Sequence, residues 1–167
     1  MKKKTMKTTA IISAAVILII VSAQMSWGAD NTATQLVSIR VTPVSTIKVS
    51  GNPGILEARP TEDGNASEAK DSSTSYSFYT TEKNRKITGS ISENTPEHTA
   101  LKVRLQAPSG GASAGDVQLS TSPRDLVTGI ATNQGKNLPI TYTFSATKDA
   151  GTVPLTQLTV TYTITGE

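Results

Sequence analysis

Apolar and polar residues alternate with a period of two along much of the chain. The segment 100–106 sets Leu101, Val103 and Leu105 against Lys102 and Arg104. Because successive side chains of a β-strand point to opposite faces, this alternation predicts a strand with one buried and one exposed face. Similar alternation, or a short run of β-forming residues, predicts further strands at 35–41, 46–49, 75–80, 86–91, 116–120, 126–130, 139–146 and 158–164.

The connections between these strands indicate the fold class. They are rich in Gly, Pro, Asn and Asp, and no window of 11 residues in this part of the chain shows helical periodicity. Short one-faced strands with such turns are typical of antiparallel sheets packed face to face. The sequence therefore predicts an all-β fold, an antiparallel immunoglobulin-like or pilin-like β-sandwich of about seven to nine strands.

The segment 56–74 breaks the pattern because it is polar and acidic. It carries five acidic and two basic side chains and almost no large apolar ones. We expect an exposed polar loop, in which one helical turn around residues 66–69 is compatible with the composition. Oxygen-bearing side chains at alternate positions make Asp63 and Asn65 weak calcium candidates, although the glycine and glutamate of an EF-hand loop are missing.

The first 28 residues have the pattern of an export signal. Four lysines precede an uncharged apolar run at 10–23, and small residues follow it as Val21-x-Ala23 or Ser26-x-Gly28. The alternative is a membrane anchor, but a spanning helix needs about 20 apolar residues. We therefore expect a signal-peptide helix at 1–28, cleaved after Gly28 or Ala29, and one β-sandwich domain at 29–167. The product is expected in the periplasm, outside the cell or on the cell surface, and not in the membrane.

Removing the signal changes the charge of the chain. The full sequence has 16 basic and 13 acidic residues and a formal net charge of +3. All four lysines of the signal segment are lost on cleavage while every acidic residue remains, so the net charge becomes −1. A chain without a clustered basic face is not expected to bind nucleic acid. It also has no cysteine, so the predicted sandwich is not held by disulfides.

Residues suited to catalysis or metal binding are sparse. His98 is the only histidine, no G-x-S-x-G motif is present, and one histidine without cysteine does not make an ordinary zinc site. The only tryptophan, Trp27, precedes the predicted cut, which leaves Tyr79 as an outward aromatic for sugar stacking. We expect neither an enzyme nor a cofactor. A self-complete extracellular module that binds carbohydrate or calcium stays open as an alternative.

The two ends of the predicted domain resemble subunits of bacterial surface fibres of the α-fimbrial type. The opening strand at 35–41 runs into Val41-Thr42-Pro43-Val44, and Ala150-Gly151 precedes a Thr/Val-rich alternation at 158–164. The resemblance covers both ends of the domain, and its middle only through the strand pattern. It implies a cell-surface structural or adhesive role.

The resemblance also implies an assembly mechanism, in which each subunit lacks one strand and a neighbour supplies it. Val37, Ile39 and Val41 would enter the neighbour's groove, while Tyr162 and Ile164 would lie on or near the accepting side. The implied partners are further copies of the chain, or a pilus chaperone and usher. The alternative is that 35–41 pairs within its own subunit, which would give a closed monomeric sandwich.

Overall fold

The computed structural model describes residues 32–59 and 66–167, and the chain divides into two units, residues 1–39 and 40–167. The predicted signal segment and the calcium candidates Asp63 and Asn65 lie outside the described residues. In the first unit, residues 32–39 form no regular secondary structure and their side chains are exposed. The strands all belong to the second unit.

Nine strands form among the described residues, and every pairing between them is antiparallel. One sheet has the order β1-β2-β8-β4-β6 and the other the order β5-β7-β3-β9. The strands are β1 (Ser45–Val49), β2 (Ser67–Thr80), β3 (Arg85–Ile91), β4 (Thr99–Leu105), β5 (Ala112–Ser113), β6 (Val117–Gln118), β7 (Arg124–Ile130), β8 (Gln134–Ala146) and β9 (Val160–Gly166).

The all-β class and the two antiparallel sheets are confirmed. The described residues contain no α-helix, only a short 3₁₀ turn at Lys148–Ala150. Over the same ranges, no helix has the length and apolar character needed to span a membrane. Both sheets contribute to one buried core, an arrangement consistent with a β-sandwich.

Alternation along each strand determines which side chains enter this core. On β4, Leu101, Val103 and Leu105 are buried, while Lys102 and Arg104 point outward, as the sequence predicts. The buried side chains of β2 include an aromatic pair, Tyr76 and Phe78, with ring centroids 6.3 Å apart. From the second sheet, β3 and β7 supply Ile87, Ile91, Leu126, Val127 and Ile130.

The predicted strand at 35–41 is not formed. These residues take part in no strand pairing, and Leu36, Val37, Ile39 and Val41 are exposed. A strand needs a hydrogen-bonded partner, and alternation alone does not supply one.

The acidic loop predicted at 56–74 is too long, because β2 begins at Ser67. Ala69 and Asp71 pair with Phe144 and Tyr142 of β8, so the helical turn allowed around 66–69 is also wrong. Low hydrophobicity indicated a loop, but the backbone hydrogen bonds available along the 13-residue β8 hold the polar segment as a strand.

Most of the connection between the strands predicted at 126–130 and 139–146 is likewise part of β8. That strand begins at Gln134, and its pairing with β2 shifts register between Tyr76 and Phe78. Gly135 faces the Phe78 ring, which occupies the space that a Cβ atom would need. A glycine that looked like a turn signal is therefore a site of close packing. The short strand β5 was also missed, inside a stretch expected to be a loop.

Candidate functional site

An open groove runs between the edges of the two sheets. Among the described residues, β1 pairs only with β2 and β9 pairs only with β3, so each strand has one unpaired edge. The residues that follow β1, 51–58, line one wall, and those that lead into β9, 150–160, line the other. The groove has a volume of about 880 Å³.

The groove is closed at one end, where β1 and β9 contact each other. The guanidinium of Arg85 lies at this end: it donates to Ser45 Oγ at 3.2 Å, forms an ion pair with Glu82, and approaches Gly166. From this closed end, one wall follows the chain onward from Val49 to residues 51–58. The other wall follows the chain backward from Val160 to residue 150. The groove therefore opens in the direction in which β1 and β8 run.

The floor of the groove is formed mainly by inward side chains of β8. Ile140, Tyr142, Phe144 and Ala146 follow one another at two-residue steps, and Leu101 of β4 lies beside them. In a strand such steps are about 6.6–6.8 Å long. The floor is thus a row of apolar positions with the repeat of an extended peptide.

Two tyrosines interrupt this apolar floor. Tyr142 of β8 and Tyr162 of β9 both line the groove, and their hydroxyl oxygens lie 2.8 Å apart. Burial raises the pKa of both hydroxyls above the ordinary tyrosine value. Both side chains are therefore neutral at physiological pH, and their hydrogen bond links the two sheets across the groove.

The 51–58 wall is held by a carboxylate of β2. Asp71 Oδ2 accepts the backbone N–H of Gly54 at 3.2 Å, and Oδ1 accepts the N–H and hydroxyl of Ser73 at 3.0 and 2.7 Å. The Ser73 bonds first, and the Gly54 bond after them, lower the pKa of Asp71 below its ordinary value of 3.8. The ionised carboxylate thus fixes the wall at Gly54.

We expect Asp71→Asn to loosen this wall without unfolding the sheets. A carboxylate whose folded pKa is depressed stabilises the fold above the unfolded pKa, and this contribution disappears as the pH falls through the folded value. Wild-type protein should therefore lose protection of the Gly54 amide from hydrogen exchange below about pH 3.8. The carboxamide that replaces the carboxylate in the variant does not titrate, so protection in the variant should be low and flat across this range.

The matched control is Asp125→Asn, since Asp125 is an exposed carboxylate paired with Lys86 at 3.0 Å, away from the groove walls. Its Gly54 exchange should equal that of wild type at every pH. Identical Gly54 profiles in wild type and Asp71→Asn would show that the carboxylate does not hold the wall.

The sequence-predicted interface residues fall in two places. Val37, Ile39 and Val41 are 70%, 91% and 90% exposed and carry no strand pairing. Tyr162 lines the groove, while Ile164, half-buried on the same strand, packs against the core opposite Ile87. Sequence reasoning missed the β8 floor as part of a site: the alternation at 139–146 marked its inward face but not that a groove lies over this face.

Other candidate chemistry does not assemble. Within 32–59 and 66–167, no three His, Asp or Glu side chains come together as a metal site. His98 has a left-handed backbone with φ of 60°, and its carbonyl accepts the Thr147 N–H at 3.1 Å. It lines a smaller polar pocket of about 410 Å³ beside residues 149–156, and no described hydroxyl or carboxylate bonds its imidazole.

The chain matches no protein-family model, no curated protein and no solved structure. The geometry of the groove and the pattern of the sequence are therefore what support a function.

Proposed function

We propose that this chain is a subunit of an exported bacterial surface fibre, in which residues 35–41 of one copy add as a strand to the groove of the next. The observation that carries the proposal is that one chain has both an apolar groove, whose walls continue the unpaired edges of β1 and β9, and an exposed segment with apolar residues at alternate positions. The groove has backbone edges without a paired strand, and the segment 35–41 has backbone groups without a ladder partner. The body is then an immunoglobulin-like, pilin-like sandwich that is one strand short.

Chemistry and length support this match. Seven residues of extended chain span roughly 20 Å at 3.3 Å per residue, and the first wall is eight residues long, from 51 to 58. Val37, Ile39 and Val41 share one face of such a strand and would enter the groove, while Leu36, Ser38 and Arg40 would face solvent. Backbone hydrogen bonds to the free edges supply affinity, and the inward side chains supply register.

Chain connectivity favours a second copy as the source of the strand. Only Thr42 and Pro43 separate Val41 from Val44. A hairpin through these two residues would align 35–41 beside 44–50, short of the groove wall at 51–58. The tight turn also needs residues with positive φ, whereas proline is fixed near −65°. Such a hairpin would therefore leave the groove of its own chain free for the segment of another copy.

The resulting contact joins different surfaces of two copies. Such head-to-tail contacts give rings when the rotation closes and open filaments when it does not. Before assembly, each copy exposes apolar side chains of the groove walls, such as Ile55 and Leu155, together with unpaired edges, which favour aggregation. We therefore propose that a periplasmic chaperone covers the groove and that an outer-membrane usher assembles the subunits, after export directed by residues 1–28.

A peptide with the sequence of residues 32–43 tests the proposal. Added to the mature chain, it should compete for the groove, shorten the oligomers seen by size-exclusion chromatography and raise the thermal unfolding midpoint of the capped subunit. The matched control is the same peptide with Ile39→Asp, which should do neither. A chain that stays monomeric and gains no stability from the wild-type peptide is not a strand-addition subunit. Stabilisation by calcium or a glycan instead would favour the alternative binding module.

A further inference from the structure

The tyrosine pair on the groove floor has an unused hydrogen-bonding group. Two hydroxyls 2.8 Å apart share one hydrogen between their oxygens, and the second hydroxyl retains its own hydrogen. No other described residue bonds either hydroxyl. Covering the groove with an apolar strand would bury this donor without a partner, which costs about 1–3 kcal/mol.

The exposed segment carries a polar side chain on the face that would enter the groove. Residues 35, 37, 39 and 41 share this face, and Gln35 is the member with a side-chain amide. Its carbonyl oxygen can accept the spare tyrosine hydrogen, and a glutamine is long enough to reach down from a covering strand. The entering row thus holds one polar residue among apolar ones, and the apolar floor holds one polar pair.

We propose, on the basis of the function proposed above, that Gln35 of the entering copy bonds to the Tyr142–Tyr162 pair and thereby fixes the register and direction of the added strand. The next inward residues then lie at successive steps of β8, with Val37 over Phe144 and Ile39 over Ala146, and Val41 falls beyond the end of β8. The largest apolar side chain of the row meets the smallest residue of the floor.

The shape of the groove determines the direction. Three branched side chains follow Gln35, so they need space on the side of the tyrosine pair where the groove continues. That side runs along Phe144 and Ala146, since the other side ends at the contact between β1 and β9 near Arg85. The added strand therefore runs parallel to 51–58 and antiparallel to β9, and antiparallel pairs are the slightly more stable kind.

A coupling measurement tests the hydrogen bond. Peptides of residues 32–43, either wild type or with Gln35→Leu, are titrated against the mature chain and against its Tyr142→Phe/Tyr162→Phe variant. The preference for glutamine over leucine should be at least about fivefold smaller in the variant, or reversed, because one neutral hydrogen bond contributes about that factor. A Ser38→Ala peptide, altered on the outward face, should show the same ratio with both proteins.

Unchanged glutamine preference in the double variant would overturn the proposal while leaving strand addition intact. Failure of the wild-type peptide to bind at all would instead remove the proposed function. A cooperative unfolding transition of the Tyr142→Phe/Tyr162→Phe variant would show that it folds.

Cysteine cross-linking tests the register without that variant. Because the chain has no cysteine, a peptide with Ile39→Cys should cross-link faster to Ala146→Cys than to Phe144→Cys, although position 144 is the more exposed of the two. The opposite order would contradict the register.

Discussion

Ile39→Asp is expected to abolish the growth of oligomers and to leave the folding of the single subunit unchanged. In the subunit this side chain is exposed, so a carboxylate there loses no packing and no strand pairing. In the proposed fibre it would be buried against the apolar floor, where an unpaired ionised group costs several kcal/mol. Size-exclusion chromatography or light scattering of the mature chain measures the first effect, and denaturant unfolding of monomeric protein measures the second.

The control for this prediction is Ser38→Asp, one position away on the opposite face of the segment. It adds the same charge, but its side chain would point to solvent in the added strand. Oligomer growth should therefore continue, with at most a modest change in its salt dependence. If both aspartates block growth equally, the alternating face is not what enters the groove, and charge on the segment is the cause.

The inward faces of the central strands could be predicted from the sequence because burial there follows from alternation alone. Leu101, Val103 and Leu105 are buried as expected, and the aromatic stretch at 75–80 places Tyr76 and Phe78 inside with Tyr79 outside. Both strands have a hydrogen-bonded neighbour on each side, and their inward faces pack into the core. The local sequence pattern and the packing of the fold therefore agree.

Pairing, by contrast, could not be predicted from pattern. Residues 35–41 have apolar residues at alternate positions, as β4 does, yet they form no strand, while the polar residues 67–74 do. The difference lies in which partner a segment meets: β2 lies between β1 and β8, whereas 35–41 has no ladder partner among the described residues. The groove could not be predicted for the same reason, since its walls depend on which strand edges stay unpaired.

Ile87→Ala is expected to have the largest effect on stability. Ile87 is 0% exposed in the middle of β3, paired with Val127 of β7 on one side and with Ile164 of β9 on the other. Removing its outer carbons leaves a cavity that well-packed neighbours cannot fill, at a cost of about 2–5 kcal/mol. That is a large share of the roughly 5–15 kcal/mol that stabilise a typical domain.

Ile39→Ala removes the same atoms at an exposed position and is the matched control. Its free energy of unfolding, measured with denaturant on monomeric protein, should lie within about 0.5 kcal/mol of wild type. The two substitutions should differ in the opposite sense on assembly. Ile39→Ala should weaken the contact between copies, whereas Ile87→Ala should weaken the subunit that accepts the strand. Because β9 is hydrogen-bonded to β3 alone, a loosened β3 also loosens the groove wall. Binding of the 32–43 peptide should restore part of the lost stability through linkage. A cost below about 1 kcal/mol for Ile87→Ala would contradict the placement of β3 at the centre of the core.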